Sequence, residues 1–255
     1  MKLNVKRDEI DFGTNILNVK VPKELRNKCR TGLEYIDVTL GGEGFTPSMV
    51  TLFTGTPGAG KTTMMLLMAN SLVQQGALVV FNTAEESLHQ VKMVVERLGL
   101  KTGFLVGQET DTPTLLKKCD ELRAKRGNKN KQFVLIVDSL QCMEDGQYNY
   151  INSRTPERVL QQITDWTKEN YTMACVIGQV TKGGQMAGTN KLKHMVDALI
   201  HLAVEHKDKD LEGCRTLEAF KNRFGGCGVT FFLSMNDRGF EEVARVAVNG
   251  VEKVK

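Results

Sequence analysis

The residues best equipped for chemistry stand together at positions 55–62, GTPGAGKT, which match the spacing G-x-x-x-x-G-K-[ST]. Gly55, Gly58 and Gly60 let successive backbone N–H groups turn inward, where they can surround phosphate oxygens. Thr56, Pro57 and Ala59 complete the turn, and Thr63 continues into the element that follows. The Lys61 ammonium can pair with β- and γ-phosphates, and the Thr62 hydroxyl offers a hard oxygen to Mg²⁺. The implied chemistry is the binding of a nucleoside triphosphate, ATP, with its magnesium. A chance glycine turn before a helix is the competing reading; the strand–turn–helix context argues against it.

Three other positions fit the same chemistry. Asp138 ends the apolar run 133–137, where a carboxylate at the carboxyl end of a buried strand can ligate the metal. The alternative is an Asp that only caps the next turn. Glu85 and Glu86 follow another apolar run, 78–82. Glu85 is assigned as the base that deprotonates an attacking water. Glu86, directly before Ser87, better suits an acidic helix start. Gln179 follows the apolar run 173–177 and can hydrogen-bond the γ-phosphate, unless it is a capping amide.

The elements that would hold these groups are legible in outline. Strands are expected at 49–54, 78–82, 133–137 and 173–177, and helices over 62–73 and 87–98. Two more helices are expected to start at Thr112-Pro113 and Thr155-Pro156, each with Thr as cap and Pro first in the helix. This alternation predicts an α/β fold with a mostly parallel central sheet flanked by helices. After Asp197 the runs 199–204, 215–221, 230–234 and 242–248 follow without helical patterns between them, predicting an antiparallel C-terminal extension. Residues 1–30 are polar and read as an N-terminal arm; 31–255 read as the catalytic domain.

Composition restricts the class. With 34 Lys and Arg against 30 Asp and Glu, the net charge of +4 permits nucleic-acid binding through a local patch without requiring it. The six cysteines include no C-x₂-C pair, so no zinc site is expected, and Cys175 in its apolar run reads as a buried thiol. No stretch of 18 apolar residues and no secretory leader is seen, so a cytoplasmic protein without a membrane partner is expected.

In this order Thr31-Gly32 with Gly41-Gly42, GTPGAGKTT, TAEES, IVDSLQ, GQVTKGGQMAG, HMVDALI and KNRFG resemble the core of the bacterial RadA/Sms proteins. The resemblance spans roughly residues 30–245, and the pentapeptide 221–225 is its most specific part. It implies a RecA-like P-loop NTPase, similar in its core to DnaB-type replicative helicases. It further implies a homo-oligomeric, hexameric ring that hydrolyses ATP to move on single-stranded DNA in recombination or replication. By the same resemblance Glu85 is the catalytic glutamate, Gln179 the γ-phosphate sensor, and Lys221 with Arg223 a pair reaching the ATP of the next subunit. A solvated basic strand edge is the plainer reading of that pair. The family's four-cysteine zinc module and Lon-like domain are not matched in these 255 residues.

The segment 181–193, TKGGQMAGTNKLK, is expected to be a flexible loop in which Lys182, Lys191 and Lys193 grip DNA phosphates; a solvated glycine loop is the alternative. Tyr148 and Tyr150 are weaker candidates for stacking on bases. The basic run 123–131 fits a solvated turn better than a DNA contact, because Gly127, Asn128 and Asn130 are turn formers. Two other functions compete with the motor: an ATP-gated assembly switch of the KaiC type, and a recombination mediator that does not unwind.

Overall fold

The computed structural model describes residues 10–148, 150–179 and 191–247. Its elements in chain order are α1 Glu34–Thr39, β1 Val50–Gly55, α2 Lys61–Gln74, β2 Leu78–Thr83, α3 Leu88–Arg97, β3 Leu105–Gly107, α4 Thr112–Ala124 and β4 Phe133–Asp138. They continue as α5 Thr155–Glu169, β5 Met173–Gln179, α6 Lys191–Met195, β6 Ala198–Val204, β7 Arg215–Asn222, β8 Val229–Asn236 and β9 Gly239–Ala247.

The strands form one sheet in the order β3-β2-β4-β5-β1-β6-β7-β8-β9. From β3 to β6 neighbouring strands are parallel. From β6 onward each pairs antiparallel with the next, as the sequence pattern predicts. β1, β2 and β4 are buried along their whole length, which is why they read as unbroken apolar runs rather than alternating ones. Two apolar layers follow. One packs Met64, Met65, Met68 and Leu72 of α2, with Ile36 and Val91, on Phe53, Phe81 and Ile177. The other packs Leu115, Leu160, Ile163 and Trp166 of α4 and α5 on Leu52, Leu135 and Val176. At roughly 1.5–3 kcal/mol per fully buried large side chain, these layers dominate the stabilisation. α2 is apolar on nearly all sides, and the β8–β9 end of the same sheet also packs against it: a Cβ on Gly239 would fall 2.6 Å from Leu67.

Some boundaries differ from expectation for identifiable reasons. Thr112 does not cap its helix; Asp111 does, accepting from the Thr114 N–H at 2.9 Å, and the Thr112 hydroxyl instead donates to the Glu144 carbonyl. Thr155 is likewise inside its helix, with Arg154 at the cap position and no side-chain cap bond. A Thr-Pro pair here marks the first two helical residues rather than cap and first residue. α3 begins as expected, through a capping box between Ser87 and Gln90. β3 has no sequence signal, since three residues with Leu105 and Val106 exposed carry no periodicity to read.

α1 is a further element without a periodic signal. It is set by Asp37, whose Oδ1 accepts from the Thr31 N–H at 2.7 Å and the Thr31 hydroxyl at 2.8 Å. Gly41, at φ +99°, meets Gly225 so closely that a Cβ there would lie 2.8 Å from the Gly225 Cα. Two of the sequence segments singled out above therefore touch backbone to backbone. Cys29 is buried and pairs antiparallel with Phe45, tying the end of residues 1–30 to the body.

Candidate nucleotide site

Every parallel strand ends at one edge of the sheet, and the candidate groups gather there. Gly55 at the end of β1 pairs with Gln179 of β5 and Leu202 of β6, while Thr83 of β2 pairs with Asp138 of β4. A cleft of about 350 Å³ opens at this edge, lined by Gly55, Gly58, Lys61, Thr62, Glu85, Asp138 and Gln179 among others. Ligands of open α/β sheets bind in this position, outside the carboxyl ends of the strands.

The turn from β1 to α2 is shaped by its glycines. Gly60 stands at φ +99° as the N-cap of α2, and a Cβ there would meet Phe240 at 2.9 Å and Met235 at 3.0 Å. A Cβ on Gly55 would fall 2.2 Å from the Leu202 carbonyl oxygen. The Lys61 ammonium donates to the carbonyls of Gly55 (3.1 Å) and Thr56 (3.2 Å), folded into the turn that would receive phosphate. Burial lowers its pKa, against the pull of Asp138 and Glu85. A triphosphate would favour the charged ammonium and so oppose the effect of burial.

The Thr62 hydroxyl donates to Asp138 Oδ2 at 2.7 Å. Burial pushes the Asp138 carboxyl up to about 6, with the Thr62 hydrogen bond opposing it. A hydroxyl and a carboxylate meeting beside a phosphate turn are the hard oxygen donors Mg²⁺ selects, so the residues present fit that ion. Among the described residues no three His, Cys, Asp or Glu side chains converge as a separate metal centre.

Glu85 and Gln179 also meet. The Gln179 amide donates to Glu85 Oε2 at 3.1 Å, and the Ser139 hydroxyl donates to the same oxygen at 3.0 Å. Ser139 was missed by sequence reasoning; following the Asp in IVDS, it reads as a turn residue. Glu86 bonds Thr83 through its backbone, its N–H to the Thr83 hydroxyl at 3.0 Å, although it too lines the cleft. Gln141 was also unforeseen; its Oε1 accepts from the Gln179 N–H at 3.2 Å.

Lys221 and Arg223 are not brought to this cleft. Asn222 pairs with Ala198 at the start of β6, and the Arg223 N–H donates to the Asp197 carbonyl at 2.9 Å. Both cations thus lie at the opposite edge, where the parallel strands begin. At ~3.3 Å per residue, the five residues from Asp197 to Leu202 separate the two edges by roughly 16 Å. Lys221 donates to the carbonyls of Val196 (2.6 Å) and Lys193 (2.9 Å), and Arg223 sits 3.2 Å from the buried Asp197 carboxylate. Burial, then Arg223 beside it, lowers the Lys221 pKa.

Of the expected DNA contacts, Lys182 lies outside the described residues. Lys191 and Lys193 are on α6, not in a loop: Leu192, between them, is buried, and this apolar anchor turns the segment into a helix. Lys191 pairs with Glu157 at 2.6 Å. Tyr148 and Tyr150 are exposed with ring centroids 6.2 Å apart, and Arg158 lies 4.7 Å over Tyr148. Residues 125–131 form the expected turn, closed by Asn128 on the Leu122 carbonyl, whereas Arg123 stands in the last turn of α4. Among the described residues no helix is long and apolar enough to cross a membrane.

A family described as "ATPase: KaiC" matches residues 29–110, which contain the phosphate turn and Glu85. The DNA repair protein RadA of Escherichia coli (strain K12) is 33% identical over 218 residues, covering 84% of this chain and 44% of that protein. RadA of Aquifex aeolicus (strain VF5) is 31% identical over 224 residues, covering 87% and 47%. The chain thus spans under half the length of either relative. A solved structure described as a DnaB-like replicative helicase superposes with a TM-score of 0.71 over 84% of this chain and 61% of that one, at 14% identity. The fold is RecA-like.

Proposed function

The chain belongs to the RadA family through its RecA-fold core, and from that premise we propose that it is a DNA-dependent ATPase motor working as a ring of identical subunits. The observation that carries this reading is the division of the candidate groups between two edges of one sheet. Lys61, Thr62, Asp138, Glu85 and Gln179 surround one cleft, whereas Lys221 and Arg223 stand where their own cleft is out of reach. A head-to-tail assembly would bring one subunit's cations to the next subunit's cleft, and forms a ring where its rotation closes.

In the proposed mechanism the turn at residues 55–62 holds the phosphates with backbone N–H groups, and Lys61 exchanges its carbonyl partners for phosphate oxygens. Thr62 and Asp138 would hold Mg²⁺, which when bound neutralises charge building on the β- and γ-oxygens. Glu85 accepts a proton from the attacking water while Ser139 and Gln179 fix its carboxylate. Gln179 ends β5, directly before residues 180–190, so loss of its γ-phosphate partner would be felt by the segment that leads to Lys191 and Lys193. Those lysines, with Lys182, contact the DNA backbone without reading sequence. Arg223 and Lys221, donated from the neighbour, stabilise the transition-state charge.

ATP turnover with and without single-stranded DNA tests the motor; stimulation is expected, and unaltered turnover contradicts it. The match to "ATPase: KaiC" favours a second reading, an ATP-gated assembly switch. That protein would form ATP-dependent oligomers with no affinity for DNA at any salt concentration.

A further inference from the structure

At the edge where the parallel strands begin, a cavity of about 300 Å³ opens beside the turn joining α4 to β4. Arg123, Lys129 and Lys131 line it with one carboxylate, Glu24, and the same three cations line an adjoining hollow with a second, Asp120, which pairs with Arg123. Like charges gathered on one concave wall repel each other, and an anion between them relieves that cost.

One feature distinguishes the cavity from a loose basic turn. Arg123 is fixed: it donates to the Asn170 side chain (2.8 Å), the Asn170 carbonyl (3.2 Å) and Asp120 (2.9 Å). Its guanidinium also lies 5.5 Å from the Trp166 ring and 6.0 Å from that of Phe133.

We propose that this cavity binds a phosphate group, with Lys129 and Lys131 as charge partners and Arg123 as a rigid planar donor. The site lies at the far edge from the nucleotide cleft and does not depend on the reading of that cleft. A free phosphate and a nucleic-acid backbone present the same chemistry. Lys125 and Arg126, in the same turn, would extend the charge along a strand.

The single tryptophan supplies a local probe. Trp166 Nε1 donates to Asp120 Oδ1 at 3.1 Å, the oxygen that also accepts from Arg123, so an anion drawing on Arg123 alters the indole's hydrogen bond. The full chain, its nucleotide cleft saturated with Mg·ADP, is titrated with inorganic phosphate and separately with a single-stranded oligonucleotide while tryptophan emission is read. A saturable change with at least one probe is expected, weakened at least about ten-fold in Lys129→Ala/Lys131→Ala. Both lysines are exposed, and turnover without DNA should be unchanged in that variant. A response to the oligonucleotide alone assigns the site to nucleic-acid backbone; a response to both assigns it to phosphate in general. No saturable change with either probe, or the same change in the double variant, overturns the proposal.

Discussion

Arg223 lies 3.2 Å from Asp197 of its own chain, at the edge of the sheet opposite the phosphate turn. Asp197 is buried and its other oxygen accepts the Val50 N–H at 3.0 Å, so the anchor belongs to the fold itself. A catalytic role for Arg223 therefore requires a second subunit. Replacing Arg223 with Ala should leave nucleotide binding and assembly intact and lower turnover by about 10³–10⁵. Light scattering with a steady-state phosphate assay checks both halves.

Glu85→Gln should bind Mg·ATP as tightly as the parent and lose roughly 10²–10⁴ in turnover, because the amide cannot take the water's proton. The Ser139 and Gln179 contacts to Glu85 Oε2 can be largely kept by the amide oxygen, so folding should be unaltered. A fluorescent ATP analogue measures binding beside turnover.

Gly55→Ala places a methyl 2.2 Å from the Leu202 carbonyl oxygen. β6 must then shift from β1, weakening the Thr56 N–H bond to that same carbonyl. A loss of about 1–3 kcal/mol in urea unfolding is expected, with nucleotide affinity reduced in parallel.

His201 gives a pH dependence of known sign. Burial, then Lys61 and Lys193, hold its pKa below the ordinary 6.5. The folded chain thus prefers the neutral ring, which stacks on Phe220 at 5.3 Å and faces the Thr54 hydroxyl at 2.9 Å. The stabilisation is complete above pH ~6.5 and is lost as pH falls through the lower folded-state value. Melting temperatures between pH 7 and 5 should fall less in His201→Gln than in the parent.

Much of this is legible from sequence because it is local. The phosphate turn, Asp138 and the unbroken apolar strands are each written in a few consecutive residues, and the loss of helical pattern after Asp197 announces the antiparallel strands. What escapes depends on distant partners. Ser139 and Gln141 gain meaning only when β4 and β5 lie side by side. Asp197 reads as a boundary residue in the sequence, whereas the fold has it bind Val50 and Arg223. Lys191 and Lys193 suggest a loop because their neighbours are glycine-rich, whereas the buried Leu192 decides for helix. The pairing of cleft and cations across subunits comes from the resemblance, and the sheet supplies a geometric reason for it.

Mixing two inactive proteins tests the central claim most directly. Lys61→Ala lacks a working cleft and Arg223→Ala lacks the donated cation, so each alone should turn over almost no ATP. Co-assembled, every interface joining an intact cleft to an intact Arg223 should recover activity, and ATP hydrolysis should return as the ratio approaches equality. A co-assembled mixture as inactive as its parts, or full-speed hydrolysis by a demonstrably monomeric parent, would contradict the account.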